Sequence, residues 1–172
     1  LSTVLLSLVV MGTAGSLLNS QLSRGIKEVN LNTALVEARS TIFTAEYRFL
    51  LAQGERDSVV QKVVDDVISS ATTLTSNENA REVVFLRSPG NTRENNYEIA
   101  SNLLDPTSIP STLSERVRKS PDLVYQYTNM NYLTGTRIKG LAIGQKVQIP
   151  NAGQYEMYII FSLANQEKTL DL

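Results

Sequence analysis

The sequence predicts an α+β domain in which a long N-terminal helix and a second, antiparallel helix precede an antiparallel sheet ending in a three-strand meander. Apolar residues recur at helical spacing as far as Gln53 and again from Val60 to Leu74. From Val83 onward short apolar runs alternate with Gly- and Pro-containing turns, the signature of strands. Helices followed by strands, rather than alternating with them, point to an α+β layer domain.

The chain begins with an uncharged stretch, Leu1 to Ser23, of which Leu1 to Leu18 reads LSTVLLSLVVMGTAGSLL. Eighteen helical residues reach about 27 Å, close to the roughly 30 Å hydrocarbon core of a bilayer. Three readings compete: the end of a transmembrane helix, a buried core helix and a truncated signal sequence. A signal sequence carries a basic region ahead of its apolar stretch, and no basic residue precedes Leu1. Ser, Thr and Gly are common in membrane helices, so residues 1–23 are expected to end a first transmembrane helix. The absence of an initiating Met predicts a longer parent protein.

Beyond it, Leu31, Ala34, Leu35, Ala38, Ile42, Ala45, Phe49 and Ala52 form one apolar stripe. No Pro interrupts the chain from Leu1 to Gln53, so a single helix is expected to run from the membrane segment to Gly54, the C-terminal stop. Such a rod packs either on its own domain or on the same helix of a second subunit. The second helix is signalled by Ser58 and Gln61 at capping-box spacing, with Asp57 as an alternative cap. Val60, Val64, Val67, Ala71 and Leu74 align on its face, widened by Val59 and Val63. The polar stretch Ser76 to Glu82 closes the helical part.

Val83 to Arg87 reads as a short buried strand ended by Ser88-Pro89-Gly90-Asn91. Tyr97 to Leu104 reads as either a strand or a loop. Thr112 and Glu115 have capping-box spacing for a small helix before Pro121. Strands follow at Val124 to Met130, Lys139 to Ile149 and Tyr155 to Ser162, with turns at Leu133-Thr134-Gly135-Thr136 and Pro150-Asn151-Ala152-Gly153. In the middle strand Leu141, Ile143, Val147 and Ile149 share one face. Gly140, Ala142 and Gly144 leave the other face almost bare, which predicts close approach of a helix or another backbone.

Composition narrows the chemistry. The 172 residues hold no His, Cys or Trp, so the usual zinc sites, thiol catalysis and Ser-His-Asp catalysis have no raw material. A formal charge of −1 argues against broad nucleic-acid binding. No dinucleotide fingerprint, phosphate loop or metal-ligand spacing is present. Asp65-Asp66 reads as a helix surface before a divalent-ion site, and Arg116, Arg118 and Lys119 as a solvated face before a patch for phospholipid or an acidic partner. Tyr125, Tyr127, Tyr132, Tyr155 and Tyr158 either pack in core and edge or line a ligand pocket or interface. Arg87 and Arg137 near them are candidates to hold a carboxylate. The sequence nominates no catalytic, cofactor-binding or metal residue.

Several segments resemble one family. Tyr125-Gln126-Tyr127, the stretch around Leu141 to Gly144 and Tyr158-Ile159-Ile160-Phe161-Ser162-Leu163-Ala164-Asn165-Gln166-Glu167 are similar to the "YQY", "GxxIxIG" and "YLIFPLASEQ" segments of the extracytoplasmic sensor domain of actinobacterial MtrB-type histidine kinases, members of the MtrAB two-component system. Ser162 stands where the family has Pro. Glu37 to Ala45 resembles the "ERARTTV" segment of the family's long first helix, and Thr73 to Ser76 recurs as "TLTS"; Asn91 to Thr107 departs most. The resemblance implies that residues 24–165 are the sensor domain and that 166–172 lead into a second transmembrane helix. It also implies a homodimer at the cell membrane and a parent kinase whose ATP, Mg and phosphorylated His belong to cytoplasmic domains absent here. The implied partners are the lipoprotein LpqB outside the cell and the response regulator MtrA inside, in control of cell-wall metabolism, division and osmotic adaptation. This fragment is then not itself an enzyme, holds no cofactor and does not bind nucleic acid. The alternative is a membrane-anchored module of Cache or PAS type that reads a small ligand directly.

Overall fold

A computed structural model describes residues 31–72 and 80–165. The expected membrane segment 1–23, Leu74 of the second helix, the "TLTS" segment and the lead-in 166–172 lie outside the described residues. Among the described residues no helix is long and apolar enough to cross a membrane. The chain divides into two units, Leu1–Val36 and Glu37–Leu172. In the first, residues 31–36 are helical.

The second unit is α+β. Helix α1 occupies residues 37–51 of it, and α2 is Asp57–Ala71. Five antiparallel strands follow: β1 (Arg81–Arg87), β2 (Ile99–Ala100), β3 (Val124–Asn131), β4 (Arg137–Ile149) and β5 (Gly153–Ser162), with α3 (Ser111–Lys119) before β3. The sheet order is β2-β1-β5-β4-β3. The last three strands are sequential neighbours, and β1 returns from the helical part to lie beside β5.

On α1, Ala38, Ile42, Ala45 and Phe49 are buried, as is Ala52 just after it, as the stripe predicts. Phe49 meets Phe85 of β1 edge to face, with ring centroids 6.2 Å apart. The helix gives way to a turn over residues 52–54, and Gly54 takes φ +85°, the left-handed stop that glycine adopts without a Cβ penalty. The expected caps differ. Helix α2 starts after Arg56 with no side-chain cap, and Gln61 donates to Asp65 Oδ1 instead. Helix α3 starts after Pro110, also uncapped, and Thr112 reaches across to Gln126. In both cases a side-chain partner further along competes for the expected cap or its mate. Val60, Val64, Val67 and Ala71 of α2 are buried, whereas Val59 is exposed and Val63 half-buried.

The sheet is covered on both faces. Register places Val83, Phe85, Ile143, Met157 and Ile159 on the face that meets Phe49. The alternate residues Val84, Ala142, Tyr158 and Ile160 pack with Leu113 and Val117 of α3 and with Leu104 and Ile109. This is where the bare face of β4 is used. A Cβ on Gly144 would come within 2.5 Å of the Tyr158 ring and 2.9 Å of Val117, and one on Gly140 within 2.8 Å of Met130 Cγ. Arg81 and Glu82, expected to close the helical part, open β1. The ambiguous Tyr97–Leu104 segment holds the two-residue β2, a left-handed turn at Asn102 and Leu103, and a bridge from Leu104 to Tyr132.

One relation sets the geometry of the unit. Glu37 pairs with Arg81 at 3.6 Å, and Arg81 lies opposite Phe161 in the sheet, so α1 enters at the end of the sheet where β5 leaves. Arg81 Nε also donates to the last carbonyl of α2, Ala71 O, at 2.5 Å. Gly144→Ala is expected to lower stability by about 2–3 kcal/mol, because an aromatic ring and a β-branched residue both have to yield. Gly140→Ala should cost less, since Met130 is flexible. Urea unfolding of the two variants checks the ranking; equal losses would mean that α3 does not rest on Gly144.

Candidate functional site

The α1–α2 connection, the β4–β5 turn and the 91–93 loop meet at the other end of the sheet from Arg81. Two asparagines join them. Asn151, at φ +63°, donates through Nδ2 to Glu55 O and to Asp57 Oδ1, both at 2.9 Å. Asn91 donates to Ala152 O at 2.8 Å and Gln154 O at 2.9 Å, and its Oδ1 accepts from Arg93 N at 3.2 Å. Gly153, at φ +85°, lets Asn91 sit where a Cβ would lie 2.9 Å from its side-chain oxygen.

These ties surround a cavity of about 520 Å³. Phe49 and Ile149, both buried, supply apolar wall together with Leu50 and Pro150. Glu46 and Arg93 bring opposite charges to the same space, and Gln53 and Gln148 bring amides. Glu46 is half-buried, and burial pushes its carboxyl above the ordinary range. Among the described residues neither the Glu46 carboxylate nor the exposed Arg93 guanidinium makes an ion pair or hydrogen bond. Sequence reasoning singled out neither residue. Glu46 follows Ala45 on the helix and looks like a surface charge, and its burial depends on a turn a hundred residues away. Arg93 falls in a loop segment with no periodicity or motif to mark it.

A second, more open space of about 740 Å³ lies between α1 and α2, with Leu51, Ala52, Val59 and Val63 against Arg48 and Asp66. Arg48 bridges the helices, donating to Asp66 O at 3.4 Å and Ser70 Oγ at 3.3 Å. Further along α1, Phe43, Tyr47 and Leu50 are 70%, 55% and 64% exposed. Phe43 lies about 200° around the helix from Ala45, so α1 carries a second apolar stripe on the side away from the sheet.

The residues proposed from sequence do not converge. Arg87 lies opposite Tyr155, whereas Arg137 opens β4 ten positions before Val147, the other neighbour of Tyr155. That is about 33 Å of strand, so no joint carboxylate clamp exists. Arg87 Nη2 donates to Asn95 O at 2.6 Å, leaving its buried Nε without a partner, and Arg137 Nε donates to Asn131 Oδ1 at 3.0 Å. The tyrosines divide between faces. Tyr155 is buried and bonded to the backbone of Asn95 and Tyr97; Tyr158 is buried on the opposite side and donates to Glu156. Tyr125 and Tyr127 stand exposed on the edge strand. Of the basic trio, Arg116 donates to Tyr125 O and Arg118 pairs with Glu156 at 3.3 Å. Asp65-Asp66 is on the exposed side of α2, and no group of three potential ligands that could hold a metal ion occurs among the described residues.

Two buried carboxylates were not anticipated. Glu82 accepts from Ser101 Oγ, Asn102 Nδ2 and Tyr132 Oη, which pins the segment after β2 to the sheet. Burial outweighs those donors and pushes its carboxyl up. Glu156 accepts from Ser114 Oγ and Tyr158 Oη at 2.5 Å and fastens α3. Neither a family model nor a curated protein matches the chain.

A carboxyl whose pKa is raised by folding binds its proton more tightly in the folded chain than in the unfolded one, so its contribution to stability grows as pH falls from neutrality towards the ordinary 4.5 and shrinks as pH rises. Glu46→Gln should therefore gain stability at neutral pH and show a flatter pH dependence in that window. Urea midpoints measured across it check the sign; a slope identical to that of the parent chain would show that the Glu46 carboxyl is solvated.

Proposed function

We propose that this chain is the extracytoplasmic input domain of a membrane-bound histidine kinase of MtrB type, which passes the state of a partner or of the envelope to membrane helices at its two ends. The observation that carries the reading is the common exit. The Glu37–Arg81 pair and the Arg81–Phe161 register bring the start of the second unit and the end of β5 to one end of the sheet. A domain of that build converts a change in how α1 lies on the sheet into a relative displacement of the two segments leaving it. The contact suits such a change. Ala38, Ala45 and Ala52 alternate with Ile42 and Phe49, and small residues let a helix shift along a sheet at lower steric cost than interlocking large ones.

On this reading the domain works as a homodimer. The exposed stripe of Phe43, Tyr47 and Leu50 has the seven-residue step, with Tyr47 between Phe43 and Leu50, that a second copy of the same helix fits. The parent supplies ATP-dependent His autophosphorylation, with Mg, and phosphotransfer to the response regulator MtrA; LpqB is the partner sensed outside. A partner drives the shift only by binding the two packings with different affinity.

A second reading, direct sensing of a small ligand by a PAS- or Cache-type module, is favoured by the cavity at the far end of α1. Both readings need α1 to act as a rigid rod. Ala45→Pro removes an interior hydrogen bond and kinks the helix at a cost of about 3 kcal/mol, so in the full kinase it should uncouple stimulus from phosphorylation. Ala45→Leu keeps the helix but wedges it from the sheet and should shift basal output. Phosphorylation that follows the stimulus normally in both variants would sink the proposal.

A further inference from the structure

We propose that the cavity bounded by the end of α1, the β4–β5 turn and Arg93 binds a small zwitterion, an amino acid or short peptide with a free ammonium, a free carboxylate and an apolar body. The inference deepens the second reading above by giving the input a chemical class, and it rests on that reading only for the step from binding to signal.

The argument starts from charge. Glu46 and Arg93 line one cavity, yet they do not pair with each other or with any other described residue. Arg93 is exposed and its guanidinium meets water, whereas Glu46 is partly buried, so the cost of standing alone falls on the carboxylate. Glu46 is held on a helix packed down by the buried Ala45 and Phe49, and it is partly out of water. An unpaired carboxylate in that position costs free energy, which a bound ammonium recovers. Arg93 follows Asn91, whose side chain is fixed to the β4–β5 turn on two carbonyls. Its guanidinium presents the planar fork that matches a carboxylate. The two groups come from different segments at the rim and wall of one cavity, and a ligand bearing both complementary charges satisfies both at once.

The rest of the cavity agrees. Phe49 and Ile149 offer an apolar surface to the body of such a ligand, and Gln53 and Gln148 offer amides that donate to or accept from a peptide unit. About 520 Å³ is within the range of small-molecule sites. A purely anionic ligand would leave Glu46 facing it, and a purely cationic one would face Arg93.

Calorimetry on the full 172-residue chain with leucyl-leucine, its N-acetyl form and its C-terminal amide tests this. Leucyl-leucine should bind saturably, and each singly charged form at least about tenfold more weakly. Glu46→Gln should reduce leucyl-leucine to the affinity of the N-acetyl form, and Arg93→Gln to that of the amide. No saturable heat at millimolar peptide, equal binding of either singly charged form, or indifference to both substitutions overturns the site. Kinase output separates the remaining question: binding without any change in phosphorylation leaves the site standing and removes the signalling step, whereas a partner response without peptide binding does the reverse.

Discussion

Everything else in the second unit is arranged around the burial of β5 on both faces. Met157, Tyr158, Ile159 and Ile160 are all at 0% exposure, and the strand has β1 on one side and β4 on the other. A strand in that position has no solvent face, so its sequence cannot alternate; it reads as a continuous apolar run. Two layers are then obligatory, α1 with α2 on one face and α3 with the 104–109 segment on the other. The few polar groups in this region have to be satisfied from within. Glu156 obtains its donors from Ser114, Tyr158 and Arg118, and Glu82 from Ser101, Asn102 and Tyr132. Both carboxylates therefore serve as fasteners: one holds α3 down and the other holds the chain after β2. Removing either would leave several buried donors without an acceptor, which costs more than the bond itself contributes.

Edge protection follows the same economy. On β3 the outward backbone groups belong to Tyr125, Tyr127, Asn129 and Asn131, by the period of two. Arg116 takes the Tyr125 carbonyl, and Asn131 exchanges bonds with Asp105 and Ser108. Asp105 in turn caps its own short 3₁₀ turn, Pro106–Ser108, by accepting from Thr107 N. The open edge is reduced to the stretch around Tyr127 and Asn129, too short a template for a long intruding strand.

Much of this was legible in the sequence, and the exceptions share a cause. The α1 stripe, the stop at Gly54, the β4 and β5 strands and the close approach at Gly144 all follow from local patterns of size and period. The caps of α2 and α3 failed because Gln61 and Thr112 found partners four residues on or on the adjacent strand β3. Arg81 and Glu82 read as polar loop because their partners, Glu37, Ala71, Ser101 and Tyr132, are distant in sequence. The cavity charges are the extreme case. Nothing local distinguishes Glu46 from the solvated Glu55 or Arg93 from other loop arginines; only the docking of the Pro150–Gly153 turn makes one half-buried and sets the other beside it. A pocket assembled from three separated segments is invisible to any reading that moves along the chain.

The shared exit of α1 and β5 also decides how the unit answers to force. A load that separates Glu37 from Ser162 acts across the strands, at their ends. It opens the Arg81–Phe161 and Gly140–Ser162 pairs first and the others in turn, as a zip opens, while α1 peels from the sheet beginning at Ala38. Strands pulled lengthwise past each other would have to break many bonds together. This fold is consequently compliant to lateral tension at the exit and stiff at the far end, where two asparagines lock the turns. It is a spring clip whose jaws are latched by the Glu37–Arg81 pair and whose hinge lies beside the cavity.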